Sequence, residues 1–284
     1  MTAHLGRVLI VAGSDSGGGA GVQGDVKAVT ALGGYAATAI TAVTVQNSLG
    51  VQAVHPLPPA LVAAQARAVL DDLGADVVKT GMLGSREVVE LVAELIAGSG
   101  LPSVVDPVMV AKGGALLLDP DAVEAVRARL IPLSALLTPN APEAAALTGL
   151  VVQTIDDLRR AGERLLTMGA AAVLMKGGHV PGPLVVDLLM TPGGETRFDS
   201  SRIETHHTHG TGCTLASACA ALLAQGRPLE TAVEQARAYV QGAIRHAPGF
   251  GAGHGPLDHA WRVRQLLDRC GLADADPGVG EEEA

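Results

Sequence analysis

Aromatic residues are almost missing from this 284-residue chain: one Trp, two Tyr and two Phe, 2% of the total. A core without rings must be built from Val, Leu, Ile and Ala, which suits buried parallel strands covered by Ala-rich helices. Basic clusters are missing too, and a net charge of −9 sets the chain against nucleic-acid binding. No stretch approaches the roughly 18 uncharged apolar residues of a membrane span. The apolar run Val8 to Ala12 stops at Gly13, too short for a secretory signal. These absences predict a cytoplasmic protein with neither a nucleic-acid nor a membrane partner. Cysteine is scarce as well: Cys213, Cys219 and Cys270 are an odd number without CxxC spacing, which argues against a disulfide framework or a structural zinc site. Cys219 and Cys270 fall in helical patterns and read as small buried hydrophobes.

What the chain does contain is a repeated rhythm. Arg7 to Ala12 reads as a strand, the glycine-rich run Gly13 to Gly21 as a turn, and Val22 to Leu32 as a helix. Tyr35 to Val45 reads as one strand, Leu61 to Leu73 as a helix, Asp76 to Lys79 as a strand and Glu87 to Ala97 as a helix. Ser103 to Val105, Ala135 to Leu137 and Ala171 to Met175 are further strands, separated by helices over Ala122 to Leu130, Pro142 to Thr148 and Asp156 to Met168. This alternation predicts right-handed βαβ units and a three-layer α/β fold, with a mostly parallel central sheet between helices. Leu184 to Met190, Glu195 to Asp199 and Arg202 to Thr205 are short strands split by turn residues and predict a small antiparallel edge. Helices over Leu215 to Gln225, Leu229 to His246 and Leu257 to Cys270 close the chain. Without a linker or an internal repeat, residues 1–272 are expected to form one domain, and 273–284 a disordered acidic tail.

Polar residues collect at the predicted carboxyl ends of the strands: Asp15, Gln46, Lys79, Asp106, Asn140, Lys176 and the segment Thr208 to Thr214. Open α/β sheets bind ligands on that rim. The run 13–21 is neither a dinucleotide fingerprint nor a P-loop, since the acidic partner of the first and the Gly-Lys-Ser/Thr of the second are both missing. Gly210, Thr211, Gly212 and Cys213 lead into a helix, where unpaired N–H groups and the dipole favour an anion and lower the pKa of a thiol. Cys213 fits a general base, or a nucleophile with His209 as partner. Lys176 fits a cation for phosphate oxygens or an edge lysine with its head in water. Asn140 and Glu143, one turn apart at a helix start, fit either Mg²⁺ and phosphate binding or simple first-turn polarity. His206, His207 and His209 lack the second ligand cluster that zinc would need.

Taken together, these motifs resemble the hydroxymethylpyrimidine/phosphomethylpyrimidine kinases of thiamine biosynthesis, in the ribokinase superfamily. The resemblance covers nearly all of residues 7–262. It rests on Gly13-Ser14-Asp15-Ser16-Gly17-Gly18-Gly19-Ala20-Gly21 with Gln23 and Asp25, then Gln46-Asn47, Gly81-Met82-Leu83, Asp106-Pro107-Val108-Met109-Val110-Ala111-Lys112, Thr138-Pro139-Asn140 with Glu143, Met175-Lys176-Gly177-Gly178-His179 and His209-Gly210-Thr211-Gly212-Cys213. It implies a ribokinase-like fold, a homodimer, and ATP with Mg²⁺ as cofactors. The reaction implied is stepwise phosphorylation of 4-amino-5-hydroxymethyl-2-methylpyrimidine to the monophosphate and then the diphosphate. Carried onto this chain, Gln46 and Asp25 would bond the aminopyrimidine edge, and Gly13, Met82 and Val108 would shape its pocket. Gly210, Thr211 and Gly212 would form the anion hole, with Cys213 as base. Asn140, Glu143 and Lys176 would act on phosphates and metal, and Asp106 would join Glu143 at the metal. Pyridoxal kinase of the same superfamily, and a pyrimidine-binding protein without turnover, are the alternatives.

Overall fold

The computed structural model describes residues 4–110 and 114–271. The expected acidic tail and the Ala111-Lys112 end of one motif lie outside the described residues.

The chain opens with β1 (Arg7–Ala12), α1 (Gly21–Ala31), β2 (Tyr35–Ile40), β3 (Ala42–Asn47), β4 (Gly50–Pro56) and α2 (Pro59–Asp72). There follow β5 (Val77–Thr80), α3 (Arg86–Ser99), β6 (Ser103–Val105), α4 (Ala122–Ala125), β7 (Leu136–Leu137), α5 (Ala141–Thr148) and α6 (Ile155–Thr167). The last elements are β8 (Val173–Met175), β9 (Leu184–Thr191), β10 (Gly194–Ser201), α7 (Thr211–Ala224), α8 (Leu229–Arg245) and α9 (Trp261–Arg269). An eight-stranded sheet runs in the order β10-β9-β8-β7-β6-β5-β1-β2. Strands β2 to β8 of that sheet pair in parallel, while β9 and β10 pair antiparallel and form the expected edge. The fold is the mostly parallel, helix-covered sheet that the alternating pattern predicts.

β1 shows why the sheet is buried on both faces. Successive side chains point to opposite sides. Leu9 and Val11 join one apolar core with residues of α2, α3, α5 and α6, and Val8, Ile10 and Ala12 join another with residues of α1, α7 and α8. Helix α7 is apolar almost all round and lies in the interior, where its Ala-rich surface packs on the sheet between α1 and α8. Cys219 is buried there, as expected, but Cys270 is exposed because α9 contributes no fully buried residue.

Four expected elements differ. The run Tyr35 to Val45 is two strands, because Thr41 is tied down between them: its N–H donates to Ala12 O (3.0 Å) and its hydroxyl to Met82 O (2.7 Å). Beyond Thr41, β3 leaves the main sheet and pairs antiparallel with β4, for which the sequence offered no reading. Arg202 to Thr205 is not a strand. The Arg202 side chain instead donates to the carbonyls of Gly178, Val180 and Gly182. Only Ala122–Ala125 of the helix expected over Ala122 to Leu130 is α-helical, the rest widening into a π turn where Arg127 reaches the carbonyls of Ala146 and Leu147. The last helix begins at Trp261, since Asp258 accepts from the Ala260 N–H and ends the preceding loop.

The order of strands reverses at β1, whose neighbours are β2 and β5. At such a switch point the loops leaving two strands diverge and open a crevice at their carboxyl ends. Among the described residues, no helix is long and apolar enough to cross a membrane.

Candidate active site

The loop after β1 is wound around one carboxylate. Asp15, 2% exposed, accepts from the N–H groups of Gly17 (2.8 Å), Gly19 (3.1 Å) and Ala20 (2.8 Å). Gly21 closes the loop at φ +54°, and a Cβ there would lie 2.4 Å from Gly13 O, so no side chain fits. A second glycine joins this loop to the start of α7. Gly210 caps that helix at φ +82°, and its added Cβ would meet Gly19 O at 1.9 Å. The two loops touch backbone to backbone, which brings the N-termini of α1 and α7 together. Cys213 sits in the first turn of α7.

A cleft of about 710 Å³ crosses the strand ends from the β1 loop to β9 and β10. It is lined by every expected site residue except Asp25: Gly13, Gln46, Met82 and Val108 in one part, Asp106, Asn140, Glu143 and Lys176 in another, and Gly210, Thr211, Gly212 and Cys213 from the α7 loop. Its size falls within the range of small-molecule sites.

Lys176 is the charged centre. Its Nζ lies 2.9 Å from Asp106 Oδ1 and 3.7 Å from Glu143 Oε2. Gly212 of α7 comes close to it: a Cβ there would lie 3.2 Å from that nitrogen. Burial works against the Lys176 ammonium, but Asp106 and Glu143 more than offset it and raise its pKa above the ordinary lysine value. Burial likewise drives Glu143 up to about 7, with Lys176 opposing and Asp106 reinforcing. Asn140 and Glu143 also form a capping box, in which Asn140 Oδ1 accepts from the Glu143 N–H and Glu143 Oε2 from the Asn140 N–H. The pair therefore starts a helix, as the first-turn reading expects, and it also faces the cleft.

Two expectations fail on burial. Asp25, expected at the aminopyrimidine edge, is fully enclosed beneath the cleft, where it binds Lys79 Nζ (2.7 Å) and the Ser217 hydroxyl (2.7 Å). Its position four residues after Gly21 turns it down the inner face of α1 rather than toward the rim. Cys213, expected to have a lowered pKa, is pushed up to about 12 by burial, with Lys79 opposing and the Asp106 and Asp25 carboxylates adding to the rise. Desolvation is the largest influence on the group, and it favours the thiol at neutral pH.

Other residues of the site had no sequence reading. Arg237 lines the cleft and binds Asp187 (2.7 Å), whose other oxygen accepts from the Gly177 N–H (2.8 Å) and so fixes the turn after Lys176. An aspartate inside the apolar run of β9 is a visible signal, because a buried charge needs a partner. His209, which the sequence offers as a partner for a Cys213 nucleophile, binds Asp15 instead, at 2.8 Å. Among the described residues, no group of three or more His, Cys, Asp or Glu is arranged to hold a metal ion.

Comparison with known proteins gives the family. Residues 15–258 match the phosphomethylpyrimidine kinase family. The chain belongs to that family. A hydroxymethylpyrimidine/phosphomethylpyrimidine kinase of Streptomyces coelicolor is 52% identical over 256 residues, covering 90% of this chain and 95% of that protein. The thiamine biosynthesis bifunctional protein ThiED of Geobacter sulfurreducens is 51% identical over 265 residues, and the match spans 93% of this chain but only about half (54%) of that longer protein. Among solved structures, a Bacillus subtilis pyridoxal kinase in complex with ADP superposes with a TM-score of 0.86 at 35% identity, covering 91% of this chain and 99% of that one. The family supplies phosphotransferase chemistry, and the cleft supplies the cation and helix N-termini such chemistry uses.

Proposed function

We propose that this chain is a single-domain, ATP-dependent kinase of thiamine biosynthesis. It phosphorylates 4-amino-5-hydroxymethyl-2-methylpyrimidine to its monophosphate and then to the diphosphate. The observation that carries this reading is one cleft in which a pocket of Gly13, Gln46, Met82 and Val108 and the cationic cluster at Lys176 share the N-terminus of α7. Phosphoryl transfer requires positioning and charge stabilisation above all. Gly210, Thr211 and Gly212 present backbone N–H groups to the moving phosphoryl group, and Lys176 neutralises charge on its oxygens. With few aromatic rings available, hydrogen bonds to Gln46 and contacts with Met82 and Val108 hold the pyrimidine. The amide nitrogen of Asn140 donates to nucleotide phosphates.

Asp106 and Glu143 offer the hard oxygen donors of a sparse Mg²⁺ site that phosphates and water complete. The ion, when bound there, adds charge neutralisation at the phosphates. In its thiolate form Cys213 takes the hydroxyl proton in the first transfer. Because burial keeps this group protonated at neutral pH, that contribution grows as pH rises toward about 12. The second transfer starts from a phosphate oxygen that is already anionic and needs no base. The chain works in the cytoplasm as a homodimer, a reading supported by apolar residues exposed on the β3–β4 hairpin, Val43, Val45, Leu49 and Val54. Light scattering on the purified protein checks the assembly.

The test of function is incubation with the hydroxymethylpyrimidine and Mg-ATP, with products followed in time by mass. Monophosphate should appear first and diphosphate after it. Binding of the pyrimidine without ATP consumption would establish a non-catalytic binding protein instead. The likeness to a pyridoxal kinase supports a second reading, and kcat/KM for pyridoxal against the pyrimidine separates the two.

A further inference from the structure

The imidazole of His209 stands between two groups of the β1–β3 rim. Its Nε2 lies 2.8 Å from Asp15 Oδ2 and 3.0 Å from the Gln46 amide nitrogen, Nε2. Asp15 is an ionised acceptor: burial opposes its charge, but His209 and the N–H groups of Ala20 and Gly17 outweigh that and hold the carboxyl below its ordinary range. The shared histidine nitrogen must therefore carry a hydrogen, whether the ring is neutral or charged. A donor at that position repels the NH₂ group of Gln46 and attracts its oxygen, and the two ends of an amide exchange places by a half-turn. The Gln46 main chain is already clamped, because Ser16 Oγ accepts from its N–H and donates to its carbonyl, each at 2.8 Å. The half-turn of the amide is the freedom that remains, and His209 decides it.

We propose that His209 is a positioning residue that sets substrate specificity by turning the Gln46 oxygen toward itself. This rests on the kinase reading above. That oxygen then shares the His209 Nε2–H with Asp15 Oδ2 in a three-centre hydrogen bond, and its other lone pair faces the cleft beside the Gln46 NH₂ group. An acceptor next to a donor matches a ring whose amino group adjoins a ring nitrogen, as in the aminopyrimidine. A heteroaromatic alcohol bearing a carbonyl in place of the amino group, such as pyridoxal, sets acceptor against acceptor and is disfavoured. Asp15 makes the arrangement rigid, since the same carboxylate that winds the glycine loop holds the imidazole.

The test uses two side chains of similar length that differ at the tip, H209Q, which keeps an N–H donor, and H209M, which does not. Each is assayed with Mg-ATP on the aminopyrimidine, on its analogue lacking the amino group, and on pyridoxal. H209M should lower kcat/KM on the aminopyrimidine by about tenfold through KM, the worth of one oriented hydrogen bond. It should cost the des-amino analogue clearly less and move the preference toward pyridoxal, while H209Q keeps the wild-type preference. Equal losses on the aminopyrimidine and its des-amino analogue, equal damage by both variants, or no loss by H209M would overturn the role of His209. Failure of the wild-type protein to phosphorylate the aminopyrimidine would remove the functional reading itself, which the other outcomes leave standing.

Discussion

Two lysines end two parallel strands of this sheet and meet opposite fates. Lys79, at the end of β5, is fully enclosed with Asp25 at 2.7 Å, and Ser217 of α7 completes the carboxylate's bonds. Lys176, just after β8, keeps 9% of its surface exposed and is shared by Asp106 and Glu143. The residues above each lysine make the difference. Helix α1 lowers Asp25 onto Lys79 and seals it, whereas Lys176 lines the cleft beside Gly212, which adds no side chain over it. A sealed pair fixes the floor that carries the Cys213 end of α7, and an open one can meet a phosphate. A buried cation is a site only where the fold leaves a way in.

The contrast can be broken at either lysine. The largest effect is expected from K79M, which strands the Asp25 charge in the interior and should cost about 3–5 kcal/mol of stability, measured by urea unfolding. Replacing both partners as K79M/D25L should recover most of that loss. A double variant no more stable than K79M would show that the pair does more than satisfy itself. K176M should act the other way, leaving the fold intact and lowering kcat by about 10³-fold in both transfers, as loss of a key charge-stabilising group does. An effect confined to one transfer would count against charge stabilisation common to both.

C213A sharpens the comparison between the two transfers. The thiolate fraction at Cys213 increases with pH up to about 12. The first transfer should therefore speed up from neutral to alkaline pH relative to the second. C213A should remove that rise, with a loss of about 10²-fold at the alkaline end, while the second transfer is little affected. Parallel pH profiles for the two steps in the wild-type protein would rule out the base. The smallest effect concerns stability around Lys176. Glu143 is raised from 4.5 to about 7 on folding, so its contribution is fully present below 4.5 and is lost as pH rises through about 7. E143Q should flatten that part of the stability profile, readable from unfolding midpoints at a series of pH values.

Much of this was legible in the sequence where a local rule applied. The boundaries of β1 and β6 follow from short apolar runs closed by turn residues. The helix start at Asn140 follows from a cap residue with Glu143 three positions on. The rim residues could be found because polar side chains recurred after buried strands. The break at Thr41 could not, because Tyr35 to Val45 is uniformly suited to a strand. The chain changes sheets there because distant groups, Ala12 and Met82, hold Thr41.

The sequence by itself determined the layers of this protein, the strand ends at which its chemistry gathers, and, through its ordered motifs, the family. Tertiary structure alone decided how those groups are used. Asp25 and Cys213 both looked like exposed functional groups from their neighbours in the chain. Packing of α1 against α7 buried the first with Lys79 and pushed the second up to about 12. Sequence spacing fixes which face of an element a side chain occupies. Desolvation and ion pairing depend on what other elements place against that face, and those partners lie 54 residues away for Asp25 and Lys79 and 192 for Asp25 and Ser217.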